Sequence, residues 1–231
     1  MNRLERCLRA LPAAPTSISQ PRIASPFPAL NELLDGGLEP GALHLLEGDS
    51  GVGKTTLALH LCAAALQRGA VAYIDADCTL TRKQVNRHPS LLTEMLLVTP
   101  PPRAVAGLLS ALLEQTSLSL VVVDMAEGWL HRGSLRGIHR AAQQSAVAVL
   151  IVSHPRPGHM ALHVGCAHRL RLYTTARQSR GCVSCMRVPG QSKWATVHLQ
   201  HGHHPKLTIV HAPMSSNKTS WTSRMNPPAF P

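Results

Sequence analysis

Eight consecutive residues carry the clearest chemical signal in this sequence, reading GDSGVGKT from Gly48 to Thr55. They match G-x-x-x-x-G-K-[ST], the pattern of a loop that binds nucleotide phosphates through its backbone N–H groups. Glycines permit the tight turn that such a loop needs, and the helix that follows directs its positive end at the same anion. The motif therefore predicts a site for ATP, formed by Gly48, Asp49, Ser50, Gly51, Val52, Gly53, Lys54, Thr55 and Thr56.

Charged and hydroxyl side chains in and beyond this loop could supply the chemistry of phosphoryl transfer. Lys54 would place its ammonium against the β and γ phosphates, and the Thr55 hydroxyl would hold Mg²⁺. Hydrolysis also needs a carboxylate that polarises the attacking water. Asp75 and Asp77, which end an apolar run, are both candidates for that role.

The elements that must position these residues are short apolar runs alternating with helical patterns. Strands are predicted at 42–47, 70–74, 96–99, 118–123 and 147–152, and helices at 55–67, 100–115 and 135–144. Such alternation predicts a parallel sheet covered on both faces, with the ligand crevice at the carboxyl ends of the strands. Shorter strands at 169–174, 181–188, 194–199 and 207–211 predict antiparallel hairpins. The expected fold class is α/β, a mainly parallel sheet flanked by helices with antiparallel C-terminal strands.

The length of 231 residues predicts one domain with additional terminal segments. Residues 1–28 are rich in proline, which argues against long regular structure, and we expect an N-terminal arm there. The predicted domain covers residues 29–211. Residues 212–231 are rich in Ser, Thr, Asn and Pro, a composition typical of a disordered tail.

The net charge of +11 and the excess of arginine, 18 of 23 basic residues, favour a polyanionic partner such as nucleic acid. A solvated basic surface is the alternative, and charge alone does not separate the two. No stretch approaches the 18 consecutive apolar residues of a membrane span, and the N-terminus has no apolar signal core. We therefore expect no membrane association and an intracellular location, in the cytoplasm and nucleoid or in the nucleus, with the six cysteines reduced.

Five stretches of the sequence, taken together, resemble the RecA/RadA recombinase family. They are LNELLDGGLEPG at 30–41, GKTTLALH at 53–60, YIDAD at 73–77, LVVVD at 120–124 and IVSH at 151–154. The resemblance covers roughly residues 23–211 and implies a RecA-like P-loop ATPase core. It also implies a core-only member of the family, similar to the RadB type or to recombinase paralogues.

The resemblance assigns roles to residues that spacing alone leaves open. Asp77 stands where the family has a glutamate that orients the attacking water, Asp124 where an aspartate supports the magnesium shell, and His154 where an Asn-Gln pair senses the γ-phosphate. Lys54 keeps its role on the phosphates. We expect ATP hydrolysis, and because aspartate is one methylene shorter than glutamate, slow hydrolysis or nucleotide binding alone is the alternative.

The family also carries two DNA-binding loops, and the corresponding stretches are short here. Their basic residues are Arg132, Arg136, Arg156 and His159, and a solvated basic rim is the alternative interpretation. We expect weak, sequence-independent DNA binding in recombination and repair, together with a full-length recombinase or through self-assembly. The alternative function is a regulatory ATPase switch that couples ATP to a protein partner without binding DNA.

One further constellation has the spacing of a zinc site. Cys182 and Cys185 are followed by His198 and His203 at intervals typical of two-Cys, two-His ligation. The apolar residues that a small zinc finger needs between its ligand pairs are missing, which favours ordinary strand residues.

Overall fold

The computed structural model describes residues 21–115, 117–125, 132–154, 166–178, 181–187 and 194–200. Its strands are β1 (Leu43–Gly48), β2 (Ala70–Asp75), β3 (Met95–Val98), β4 (Leu118–Asp124), β5 (Ala148–Ser153), β6 (His168–Gln178), β7 (Gly181–Arg187) and β8 (Trp194–Gln200). Its α-helices are α1 (Pro28–Leu33), α2 (Lys54–Ala65), α3 (Arg82–Val85), α4 (Pro89–Glu94), α5 (Val105–Leu113) and α6 (Arg132–Ser145). The alternation of strands and helices predicted from the apolar runs is therefore confirmed.

The strands form one sheet in the order β3-β2-β4-β5-β1-β6-β7-β8. From β3 to β6 neighbouring strands are parallel, and β7 and β8 add an antiparallel end. The predicted α/β class with a mainly parallel sheet is confirmed. Our expectation for β6 was incomplete, since it is a hairpin strand only towards β7 and runs parallel to β1 on its other side.

Helices cover both faces of the sheet because successive residues of each strand point to opposite sides. On β1, Leu46 belongs to the apolar cluster that includes α1 and α2, whereas Leu45 belongs to the cluster that includes α5 and α6. The central strands are buried on both faces, as their continuous apolar runs require. No helix within the described ranges is long and apolar enough to cross a membrane.

The segment ahead of β1 packs onto the first of these clusters. Ile23 pairs with Leu38 in an isolated antiparallel bridge, and both Ile23 and Phe27 are buried. These two residues precede position 29, where we expect the domain to begin. The domain boundaries themselves stay a prediction.

The region predicted as one helix over 100–115 is divided. Pro102–Ala104 forms a 3₁₀ turn and α5 begins only at Val105. The proline run explains the division, because proline cannot donate the backbone hydrogen bond that a continuous helix needs. The predicted strand at 207–211 lies outside the described residues.

Candidate nucleotide-binding site

The loop between β1 and α2 has the backbone geometry that its glycines allow. Gly51 and Gly53 have φ values of 80° and 98°, in the left-handed region that other residues rarely adopt. At Gly48 a Cβ would lie 2.6 Å from the carbonyl oxygen of Leu172 and 2.8 Å from a Val52 methyl, so only glycine fits. Around Gly51 no atom lies within 4 Å of an added Cβ, which leaves that side of the loop open to a ligand.

Lys54, the first residue of α2, holds its ammonium inside the loop. Nζ donates to the carbonyl oxygens of Gly48 at 2.7 Å and Asp49 at 2.8 Å, and the side chain is buried. Burial lowers the pKa of Lys54, and the carboxylates of Asp124 and Asp49 oppose that shift. The loop therefore carries a desolvated positive charge at the place where the motif predicts phosphate oxygens.

The carboxylate of Asp124 lies near the Lys54 ammonium and interacts with it electrostatically. Thr55 Oγ1 donates to Asp124 Oδ2 at 3.3 Å, and the buried Tyr73 hydroxyl donates to the same oxygen at 2.6 Å. Burial raises the pKa of Asp124, and the Asp75 carboxylate adds to this, while the Tyr73 and Thr55 hydrogen bonds and the Lys54 charge oppose it. A hydroxyl and a carboxylate side by side are oxygen donors of the kind that Mg²⁺ prefers, so these residues fit that ion.

His154, just after β5, faces the loop from the neighbouring strand. Its Nε2 lies 3.0 Å from Ser50 Oγ, which links the loop to the end of β5. The structure thus brings Ser50, Lys54, Thr55, Asp124 and His154 together at the carboxyl ends of β1, β4 and β5, where the sheet topology predicts a crevice. Their roles in binding or catalysis stay predictions.

The two candidate carboxylates at the end of β2, Asp75 and Asp77, differ in their burial and hydrogen bonding. Asp75 is buried and accepts hydrogen bonds from the Thr79 N–H at 3.0 Å, the Thr79 hydroxyl at 3.4 Å and the Leu80 N–H at 2.9 Å. It therefore stabilises the turn that follows β2. Asp77 is exposed within that turn, and its role towards a bound nucleotide stays a prediction.

Sequence reasoning missed two partners of this site. Tyr73 lies in the stretch YIDAD, but nothing in the sequence gave it a role of its own. Glu47 lies in a strand predicted from its apolar residues, yet it is 1% exposed and accepts a hydrogen bond from Arg169 Nε at 2.9 Å. A carboxylate inside a buried strand needs a cationic partner, and that signal could have indicated the Glu47 ion pair, though not its partner 122 residues away.

The four basic residues predicted to contact DNA are described only in part. Arg132 begins α6, and Arg136 is exposed one turn later on the same helix. Arg156 and His159 lie outside the described residues. Arg140, a further exposed arginine one turn beyond Arg136, was not among the predicted residues.

The predicted zinc constellation is likewise only partly described. Cys182 and Cys185 lie on β7, His198 lies on β8 opposite Val183, and His203 is outside the described residues. Among the residues that are described, no three His, Cys, Asp or Glu side chains come together in a way that could hold a metal ion. A zinc site, which the sequence already disfavours, gains no support from the described residues.

Comparison with known proteins shows similarity across this region. A family model described as an AAA domain matches residues 8–152. RecA of Clostridium botulinum (strain Eklund 17B) is 31% identical over 105 residues, which cover 44% of this chain and 29% of that protein. The DNA repair protein RadA of Streptococcus pneumoniae is 39% identical over 62 residues, 27% of this chain and 15% of that protein.

The fold is similar to that in the crystal structure of the RadB recombinase, with a TM-score of 0.63 over 76% of this chain and 95% of that one. At 19% identity this likeness shows the fold alone. The chain spans less than a third of the length of the two curated relatives. Because the AAA domain model matches residues 8–152, more than half of the chain, and RecA and RadA are among its relatives, the chain belongs to the AAA domain family and is a RecA/RadA-family member.

Proposed function

We propose that the protein binds ATP with magnesium at the loop from Gly48 to Thr56 and hydrolyses it. The observation that carries this proposal is the contact of 3.3 Å between Thr55 Oγ1 and Asp124 Oδ2, beside the buried ammonium of Lys54. One positive charge and two oxygen donors at a helix N-terminus suit a nucleotide that arrives with a divalent cation.

Each side chain then has one task. A magnesium ion bound with ATP would supply positive charge that stabilises the phosphate oxygens. Lys54 would donate to phosphate oxygens in place of its two carbonyl acceptors, the Thr55 hydroxyl would hold the cation, and the Asp124 carboxylate would support the cation from its outer shell. We assign the orientation of the attacking water to Asp77 and the contact with the γ-phosphate to His154.

Binding of mant-ATP, a fluorescent ATP analogue, in the presence of Mg²⁺ tests this assignment. Lys54→Ala removes the partly desolvated ammonium that we propose contacts the phosphates. This variant should bind mant-ATP at least tenfold more weakly than the parent. Lys83→Ala is the matched control, because Lys83 is exposed on α3 and should change binding less than twofold. Equal affinity of Lys54→Ala and the parent would show that the phosphates do not bind at this loop.

We further propose that the ATPase acts on DNA in recombination and repair, with weak binding through phosphate contacts. The support comes from the net charge of +11 and from α6, which carries no acidic residue. Arg136 and Arg140 are exposed on α6, and neither forms a salt bridge with a carboxylate of the described residues. Two arginines one helical turn apart can contact neighbouring phosphates of a strand.

A salt titration of oligo-dT binding, followed by fluorescence anisotropy with and without an ATP analogue, tests this part. Phosphate contacts release counterions, so affinity should fall steeply as salt rises, with a slope of about −0.7 per contact. We propose that the protein acts inside the cell, alongside a full-length recombinase or as an assembly of its own copies. No binding at low salt, combined with ATP hydrolysis that a protein partner stimulates, would support a regulatory switch instead.

A further inference from the structure

The hydroxyl of Tyr73 makes a contact that the assigned roles do not use. Tyr73 is fully buried in β2, and its Oη donates to Asp124 Oδ2 at 2.6 Å. In the β2–β4 register Tyr73 lies opposite Val122, so Asp124 is two residues further along on the same face. That diagonal is within the reach of a tyrosine ring, which explains how the hydroxyl meets the carboxylate.

Both side-chain donors to Asp124 end on one oxygen. Oδ2 accepts from Tyr73 and from Thr55, whereas Oδ1 accepts from no donor in the described part of the chain. A carboxylate held at one oxygen by a ring that is itself packed in the core cannot turn freely. Its second oxygen is therefore presented in a fixed direction, which is what a group in the outer shell of a cation requires.

The neighbouring carboxylate of Asp75 cannot replace Asp124 in the outer shell of the cation. Asp75 is the register partner of Asp124 at the ends of β2 and β4, and two carboxylates repel each other. Asp75 is also occupied by the N–H groups of Thr79 and Leu80. Among the described residues, only Tyr73 gives the Asp124 carboxylate a donor that lies outside the phosphate-binding motif.

We propose that Tyr73 is a positioning residue of the nucleotide site, whose hydroxyl orients the Asp124 carboxylate towards the water shell of the magnesium ion. This inference rests on the proposed binding of ATP with magnesium. It predicts an effect on the dependence of nucleotide binding on Mg²⁺, and no effect on nucleotide binding without the ion.

The test is the affinity for mant-ADP measured across a range of Mg²⁺ concentrations and in EDTA. In Tyr73→Phe the Mg²⁺ concentration that gives half of the affinity gain should rise about tenfold, the usual effect of losing a group that orients a metal ligand. Affinity in EDTA should stay within twofold of the parent. The matched control is Ser119→Ala, which removes another buried hydroxyl of the same sheet, one that donates to the Ala65 carbonyl at the opposite end of β4.

A merely structural role for the hydroxyl predicts that both variants lose stability and neither changes the Mg²⁺ dependence. A double-mutant cycle adds a second criterion, because Tyr73→Phe should have no further effect in an Asp124→Asn background. An unchanged Mg²⁺ dependence in Tyr73→Phe, with a parent that responds to Mg²⁺, would overturn this inference alone. A parent that binds no mant-ADP at any Mg²⁺ concentration would overturn the proposed function.

If Tyr73→Phe does not fold, fluorine NMR of residue 73 in the otherwise intact site tests the same proposal. With Tyr173→Phe as background, 3-fluorotyrosine labels residue 73 alone, since the sequence contains two tyrosines. Adding Mg²⁺ to the ADP complex should shift this fluorine resonance, and the shift should be lost in Asp124→Asn. A resonance that Mg²⁺ does not move would contradict the proposal.

Discussion

Ser50 Oγ and His154 Nε2 lie 3.0 Å apart and join the phosphate-binding loop to the end of β5, although the two residues are 104 positions apart in the sequence. The adjacency of β1 and β5 brings them together, since Glu47 is the register partner of Ser153. A serine hydroxyl both donates and accepts, so either ring tautomer can form this bond. The contact couples the loop directly to the end of β5.

We predict that His154→Ala lowers ATP hydrolysis about tenfold while mant-ADP affinity stays within twofold of the parent. The reason is that we assign His154 to the γ-phosphate, which ADP lacks, and one hydrogen bond to a charged group is worth about this factor. Steady-state hydrolysis and fluorescence titration measure the two quantities. Ser50→Ala removes the hydroxyl that contacts His154 and tests whether this hydrogen bond contributes to turnover, and a His154→Ala variant that loses ADP affinity as strongly as turnover contradicts the assignment.

Two glycines should respond to the same substitution with opposite signs. Gly48→Ala drives a Cβ to 2.6 Å from the Leu172 carbonyl oxygen, and we expect overpacking to lower the free energy of unfolding by about 2 kcal/mol. Gly107 lies within α5, and a Cβ added there would meet no atom within 4 Å outside its own stretch of helix. The higher helix propensity of alanine in Gly107→Ala should therefore raise the free energy of unfolding by about 1 kcal/mol. Urea unfolding followed by circular dichroism measures both, and destabilisation by Gly107→Ala would contradict the helix geometry.

The sequence predicted the strands and the loop because their signals are local. An apolar run such as β4 specifies a buried strand, and the glycines and Lys54 of the motif specify the turn that follows β1. Both signals lie within a few neighbouring residues. This is why Lys54, Thr55, Asp124 and His154 could be expected at one edge of the sheet.

Contacts that depend on strand order could not be predicted in the same way. The approach of Tyr73 to Asp124 requires β2 and β4 to be neighbours, and periodicity carries no information on which strands pair. The ion pair of Glu47 with Arg169 requires β6 to lie parallel beside β1, whereas the turn residues indicated only a hairpin. Local patterns therefore give the elements, and packing between distant elements gives these two contacts.

Acidification should destabilise the protein through a buried histidine pair. His44 Nε2 lies 3.0 Å from the Glu39 carbonyl oxygen and must donate to it, so His44 Nδ1 accepts from His168 Nδ1 at 3.2 Å. Burial lowers the pKa of His44 to about 4; the hydrogen bond to the Glu39 carbonyl opposes this shift, and interactions with His168 and Arg22 add to it. The His44 ring is therefore neutral in the arrangement that the structure shows.

The sign of the pH effect follows from comparing the folded and unfolded chains. Between pH 6.5, the ordinary value of histidine, and about 4, the unfolded chain binds a proton that folded His44 refuses. Stability is thus complete above pH 6.5 and is lost as the pH falls through this window, by on the order of 3 kcal/mol from His44. Urea unfolding at pH 7.5, 6 and 5 measures the loss, and His44→Gln should reduce its size. An unaltered pH dependence in that variant would show that other groups cause the effect.

Removal of the two exposed arginines of α6 should weaken DNA binding without changing nucleotide affinity. For Arg136→Ala with Arg140→Ala we expect a lower affinity for oligo-dT and a salt slope that is smaller by about 0.7 for each phosphate that the variant no longer binds. Arg87→Ala is the matched control, because Arg87 is an exposed arginine between α3 and α4, which pack on the opposite face of the sheet. An equal loss of affinity in the control would indicate a diffuse charge effect rather than a surface on α6.

Asp75, the last residue of β2, and Asp77, two residues later, should have different effects when replaced, one on stability and the other on turnover. Asp75→Asn weakens an acceptor of the Thr79 and Leu80 N–H groups, so we expect the free energy of unfolding to fall by about 1–3 kcal/mol. Asp77→Asn changes an exposed carboxylate and should leave stability within about 0.5 kcal/mol of the parent. Because we assign the attacking water to Asp77, its replacement should lower single-turnover ATP hydrolysis about a hundredfold with unchanged mant-ATP affinity. Asp75→Asn, measured at a temperature where it is fully folded, should keep most of the turnover, and a larger loss of turnover in Asp75→Asn than in Asp77→Asn would reverse the two roles.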